Sequence, residues 1–315
     1  MRILDIIPFL LFGAVATAQQ EAVFSQFFYN KLLSNPGAAA SDGIPSLMAF
    51  HRQQWAGLEG APSTQVLSFN APAFGNRVGL GLTLMNDRIG FFNSTYVNAA
   101  YAYRIPFGRG VLGIGIQGSY LYHRTDWAAA KTTGTAGDPL AGTGAFSSSF
   151  NVGAGAHFQT ENFFAGVSVP YFLEKIPGGD DGGFVVDFSN ATPHIFITAG
   201  GIITLSPRVK MRPAFQSRIV KNAPPGTDFH LSFGLLRDTR LWLGATYRWS
   251  FSSLPTTGDA VVVQAQYQIS DRLRAGTAYD ISLGNLQWEF GRTYELMLEY
   301  DFTTSGKGVR NPRYF

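Results

Sequence analysis

From about residue 46 to residue 302, apolar and polar positions alternate with a period of two. Over 112–122, Leu112, Ile114, Ile116, Gly118, Tyr120 and Tyr122 share one parity, and Gly113, Gly115, Gln117, Ser119 and Leu121 share the other. Successive side chains of a strand point to opposite faces, so this stretch has one apolar face and one small or polar face. The same dyad recurs over 78–86, 241–249, 261–269 and 294–302. Extended along the chain, it predicts about fourteen strands: 46–53, 64–70, 78–86, 94–105, 111–123, 147–158, 162–169, 192–205, 208–218, 228–236, 240–250, 259–269, 271–280 and 292–302.

Alternation by itself suits a soluble β-sandwich as well as a membrane barrel. The aromatic positions separate the two. Tyr101 and Tyr103, Tyr120 and Tyr122, Tyr247 and Trp249, and Tyr300 and Phe302 sit at strand ends on the apolar parity. Membrane barrels carry such girdles where strands meet the two interfaces. Connections also alternate, short near 108–109, 161–162, 206–207, 238–239 and 270–271, and long over 124–146 and 170–191. Short periplasmic turns and long outside loops are the habit of outer-membrane barrels, and an even strand count returns both ends to the periplasm. The expected fold is an all-β, transmembrane antiparallel β-barrel of about fourteen strands with periplasmic termini.

Composition narrows the alternatives. Charged residues are 14% of the 315, against roughly 25% in an ordinary soluble domain. Aromatic residues reach 14%, too many for a disordered chain. No stretch beyond the N-terminus approaches the ~20 apolar residues of a membrane helix. The chain has no cysteine, which excludes a disulfide framework, a lipidated N-terminal Cys and thiolate metal sites. Net charge is +3 without any Lys/Arg run, so nucleic acid is not an expected partner. Arg2, the apolar core from Ile6 to Val15 and Ala16-Thr17-Ala18 read as a signal peptide. The expected layout is a signal peptide at 1–18, a periplasmic, plug-like segment at 19–45, a barrel at 46–302 and a periplasmic tail at 303–315.

Chemical motifs are sparse. Residues 113–118 match GxGxxG, but inside a period-two strand rather than at the strand-to-helix turn a dinucleotide needs. His51, His123, His157, His194 and His230 are scattered without metal-ligand spacing. No GxSxG elbow is present. No enzyme activity, cofactor or metal is expected. By parity, Arg52, Arg104, Arg212, Arg218, Arg248 and Arg274 face inward, as do Glu295, Glu299 and Asp301. They make either a polar network that closes the lumen or a basic lumen that selects anions or grips an acidic segment of a partner.

Both ends of the mature chain carry motifs. Phe24-Ser25-Gln26-Phe27-Phe28-Tyr29-Asn30 is followed by Ser34-Asn35-Pro36-Gly37-Ala38, and His51-Arg52-Gln53-Gln54-Trp55 comes next. Near the end stand Ala278-Tyr279-Asp280-Ile281-Ser282-Leu283, Thr293-Tyr294-Glu295-Leu296-Met297-Leu298 and the terminal Pro312-Arg313-Tyr314-Phe315. In this order they resemble the PorP/SprF family of type IX secretion system membrane proteins. The resemblance implies a barrel in the outer membrane of Bacteroidetes-type bacteria, working with secretion and gliding machinery. It implies two kinds of partner: a secreted protein with a type IX C-terminal secretion domain, and periplasmic secretion or motor components. The alternative function is a diffusion channel or small-molecule transporter.

Candidate partner contacts follow from the physics of these ends. Phe24, Phe27, Phe28 and Tyr29 form an aromatic patch that needs cover, from a partner or from the barrel's own mouth, and Asn35 and Pro36 in the motif that follows are candidate partner contacts beside it. Arg310 and Arg313, with Tyr314 and Phe315, end a basic tail that is either solvated or fits an acidic periplasmic partner. The connection 170–191 holds Glu174, Asp180, Asp181 and Asp187 against Lys175, a net of 1 − 4 = −3. Asp180, Asp181 and Asp187 are expected to help hold the secreted partner, with a merely solvated loop as the alternative.

Overall fold

The computed structural model describes residues 24–126, 144–172, 174–176, 185–187, 193–220, 224–236, 239–250, 260–283 and 292–302. Residues 1–23, which include the expected signal peptide, and the tail 303–315 lie outside these, with the side chains of the hairpin residues 174–176 and 185–187.

The strands are β1 (Ser46–Gln53), β2 (Ser63–Ala73), β3 (Val78–Ile89), β4 (Phe92–Phe107), β5 (Gly110–Asp126), β6 (Gly144–Gln159), β7 (Phe163–Val169), β8 (Glu174–Ile176) and β9 (Val185–Asp187). They continue as β10 (Ile195–Gly201), β11 (Ile203–Ser206), β12 (Val209–Ile219), β13 (Gly226–Leu235), β14 (Leu241–Ser250), β15 (Ala260–Gln268), β16 (Leu273–Ser282) and β17 (Arg292–Asp301). All but β8 and β9 join one antiparallel sheet of fifteen strands, in which β1 pairs with β17 and β10 with β12. Those two pairings close it. Since β10 and β11 lie in succession on β12, they are one stave, and the barrel has fourteen.

Two local expectations are corrected. The strand expected over 192–205 is interrupted at Ile202, whose N–H donates to the Asn162 carbonyl at 2.8 Å one step beyond the Gly201–Phe163 pair, and β11 resumes on β12 in the register of β10. A register shift between Thr204 and Ser206 follows, and such irregularities bend a strand locally. The connection 170–191 is also not a plain loop, because β8 and β9 pair as a short hairpin inside it.

The alternation sorts side chains inside out relative to a soluble domain. Leu80, Leu82, Leu84, Tyr101, Tyr103, Ile114 and Ile116 stand exposed on the outside, while Ser68, Thr83, Gln117, Ser119, Thr246 and Gln266 are buried inside. An apolar belt outside and a polar interior are what lipid demands, because lipid cannot hydrogen-bond. Short turns gather at one rim. The β4–β5 turn passes through Gly108 at φ +59°, and the β2–β3 turn has Phe74, Gly75 and Asn76 all at positive φ. By the rule for such barrels, this rim is periplasmic and the long connections are outside.

Candidate functional site: the filled lumen

Residues 24–45 run inside the barrel. They fold into two single 3-10 turns, Lys31–Leu33 and Pro36–Ala38. Pro36 suits the first position of the second turn, where no N–H is needed. Asn35 caps it: its Oδ1 accepts from the Gly37 N–H at 2.8 Å, while its Nδ2 donates to the Ala156 carbonyl of β6 at 3.0 Å. One side chain thus orders the segment and ties it to the wall.

Two halves of the wall hold the segment by different means. On β1 and β12–β17 the contacts are ionic and aromatic. Glu295, fully buried, accepts from the Ser25 backbone N–H at 2.8 Å and from Arg52. Arg52 also reaches Asp280 at 3.0 Å. Arg248 lies between Asp228 at 3.1 Å and Asp280 at 3.3 Å, and donates to Ser25 Oγ at 2.9 Å. With Arg218 at 3.7 Å from Asp228, three carboxylates face three guanidinium groups. Buried charges are tolerable only when so matched and hydrogen-bonded. Below them, the Arg212 guanidinium lies over Phe28, Tyr29 and Trp242, at 4.4, 4.7 and 4.3 Å from the ring centroids. A planar cation stacked on rings and donating to Tyr29 Oη and Ser232 Oγ is well suited to a dry site.

On β3–β7 the wall is bare backbone. A Cβ on Gly79 would collide with the Ala39 carbonyl, one on Gly113 with the Gly37 carbonyl, and one on Gly115 with Pro36. At Gly155 it would meet the Asn35 side chain, and at Gly81 the Leu32 side chain at 2.7 Å. These glycines form a track against which the segment lies in direct contact. Ser168 Oγ adds a hydrogen bond to the Ser34 carbonyl at 2.6 Å.

The segment threads the lumen lengthwise. Ser25 meets Arg52 one residue before the end of β1, Asp280 two before the end of β16, and Glu295 three after the start of β17. All three positions are near the rim of long connections, so the start of the described segment lies toward the outer rim and not, as expected for residues 19–45, at the periplasmic mouth. At the other end, Ser41 accepts from Arg104 Nη2 near the foot of β4, and Phe302 N–H donates to the Pro45 carbonyl at the short-turn rim. A cavity of about 20 Å³ beside Tyr29, Lys31, Asp42 and Glu299 leaves room for about one water. Lys31 Nζ lies 3.6 Å from Asp42 beside this cavity.

Of the residues singled out from sequence, Phe27, Phe28, Tyr29, Asn35 and Pro36 are buried against the barrel's own wall, and Phe24 is partly buried against Phe50. In this arrangement they do not form an open docking patch. Arg52, Arg212, Arg274, Glu295, Glu299 and Asp301 are buried, and Arg104, Arg218 and Arg248 are half-buried on the same inner face. Asp180, Asp181, Arg310, Arg313, Tyr314 and Phe315 lie outside the described residues, and Asp187 is described only as a strand position in β9. Sequence reasoning missed Asp228, Asp280 and Trp242. Register is the signal that could have found Asp228, the direct cross-strand partner of Arg248, as Glu295 is of Arg52 and Glu299 of Arg274; Asp280 and Trp242 have no charged cross-strand partner and meet Arg52, Arg248 and Arg212 through the fold.

Comparison with known proteins decides the family. The model of the type IX secretion system membrane protein PorP/SprF matches residues 16–300. The chain belongs to the PorP/SprF family. It is thus a membrane protein of the Bacteroidetes-type type IX system, located in the outer membrane. PorP/SprF is a family of secretion-system membrane proteins, not of enzymes. No curated protein matches the sequence. Among solved structures, the barrel is similar to the CymD monoaromatic hydrocarbon channel, at 10% identity and TM-score 0.51, over 91% of this chain and 95% of that one. A Pseudomonas aeruginosa FadL homologue shares 12% identity at TM-score 0.48, over 85% of this chain and 93% of that one. At such identities the likeness to CymD concerns the fold alone.

Proposed function

We propose that this PorP/SprF protein is a closed outer-membrane platform rather than a pore. It recruits or anchors a secreted protein bearing a type IX C-terminal secretion domain, and contacts periplasmic components of the machinery. The observation that carries this reading is the lumen filled along its length by residues 24–45, held by buried ion pairs at one end and backbone contact at the other. A channel needs a path through that volume; a platform works by its rims. On the outer rim, the acidic connection 170–191 with Asp180, Asp181 and Asp187 is the contact offered to the secreted partner. On the periplasmic side, the tail with Arg310, Arg313, Tyr314 and Phe315 is the contact offered to machinery.

The test pairs conductance with capture. The intact protein in planar bilayers should conduct little, and a chain lacking 24–35 should conduct markedly more if it still assembles. From outer membranes, the intact protein should co-purify with a large surface protein, and replacing Asp180, Asp181 and Asp187 by Asn should reduce that yield in a salt-dependent way. A large, stable conductance in the intact protein, with no surface protein retained, would favour the transporter and sink the platform.

A further inference from the structure

The short-turn rim carries a feature that neither the plug nor the outer loops require. Five of its six turns bear an exposed arginine: Arg77, Arg109, Arg208, Arg240 and Arg272. The sixth, between β6 and β7, has Glu161. At the opposite rim the exposed arginines Arg88, Arg124 and Arg292 lie within strand ends, not in the connections. In sequence the connections there hold eight acids against Lys131, Lys175 and Lys221. Each arginine also has an exposed apolar residue two to four positions before it: Phe74, Phe107, Leu205, Leu236 and Ile269. Phe74 is 82% exposed, held at the turn with φ +47°.

We infer that this rim is a binding ring for the phosphodiester headgroups of anionic phospholipid in the inner leaflet of the outer membrane. An apolar side chain at the edge of the hydrocarbon and a cation one turn further out match the two chemistries met in crossing from acyl chains to headgroups. The choice of arginine matters, because its planar fork holds two phosphate oxygens at once where an ammonium is a point charge. The turns themselves are pinned: Arg208 and Arg272 donate backbone N–H groups to Ser206 and Ser270 Oγ, and the Arg77 carbonyl accepts from Arg104 N–H at 2.8 Å. The guanidinium groups are therefore presented from rigid backbone. Among the described residues of the rim, Arg240 has an ion-pair contact, to Asp271 at 3.8 Å, with both side chains solvated. A surface pair of this kind leaves the guanidinium able to exchange partners. The distribution around the circumference favours lipid, which surrounds the barrel, over a protein, which approaches from one side. The inference does not depend on whether the barrel anchors a secreted protein.

The experiment uses the full-length protein in bilayer discs of phosphatidylethanolamine containing a minor fraction of phosphatidylglycerol, with retained lipid counted by native mass spectrometry after mild extraction. Phosphatidylglycerol should be enriched several-fold over its bulk share at low salt and less at high salt. Joint replacement Arg77→Gln, Arg109→Gln, Arg208→Gln and Arg272→Gln should abolish the enrichment. If that variant does not fold, Arg77→Gln and Arg109→Gln alone should each give a partial loss. Equal retention of both lipids by the intact protein would overturn the inference. Unchanged lipid preference in the variants, with loss of a co-purifying periplasmic protein, would also overturn it and give the rim to an acidic partner.

Discussion

The two halves of the lumen wall solve one problem by opposite means. Around β1 and β12–β17, the wall reaches inward with long charged side chains that meet Ser25, Gln26 and Tyr29. Around β3–β7, the wall withdraws to glycine, and the segment's own carbonyls at Pro36, Gly37 and Ala39 lie against bare backbone. The first half gains specificity from charge, because each buried carboxylate must find its guanidinium. The second gains it from shape, because a methyl group at the wrong place forbids contact. A segment held by both is fixed in depth by one and in lateral position by the other.

The contrast between the halves predicts its largest effect at Glu295. Glu295→Ala removes a carboxylate from Arg52 and leaves the three guanidinium groups facing two carboxylates, which should cost about 3–5 kcal/mol in denaturant unfolding from lipid. The same variant should raise conductance as the Ser25 end loosens. A loss below about 1 kcal/mol would mean the charged half merely lines the lumen. On the other half, Gly115→Val should cost about 1–3 kcal/mol by overpacking against Pro36. In a chain lacking 24–41 that cost should vanish, since the group it strikes is gone. Additive effects in this double-mutant cycle would show that the glycine track does not seat the segment.

Direction of threading provides a third test. Because Ser25 contacts positions near the long-connection rim, a short epitope placed directly ahead of Phe24 should be read by antibody on intact cells. Detection only after permeabilisation would reverse the path of the segment.

Much of the barrel is legible in the sequence. The strand expected over 46–53 is β1 to the residue, and the inward parity of Arg52, Arg212, Arg274, Glu295 and Glu299 matches their burial. Both follow from the strictness of period two: a single shift would put charge into lipid. The interruption at Ile202 is not legible, because Gly200 and Gly201 signal a weak point without saying where it falls.

Fold class, the even number of staves, the sorting of faces and, through the ordered end motifs, the resemblance to PorP/SprF all reside in the amino-acid sequence. These are properties of periodicity and local order, readable along one dimension. The folded barrel adds that Glu295 pairs with Arg52, 243 residues away in sequence, and that the inward glycines face a carbonyl-lined segment rather than empty space. Register and the path of residues 24–45 arise when the sheet closes. Closure brings distant positions to hydrogen-bonding distance, and no spacing along the chain encodes which of them meet.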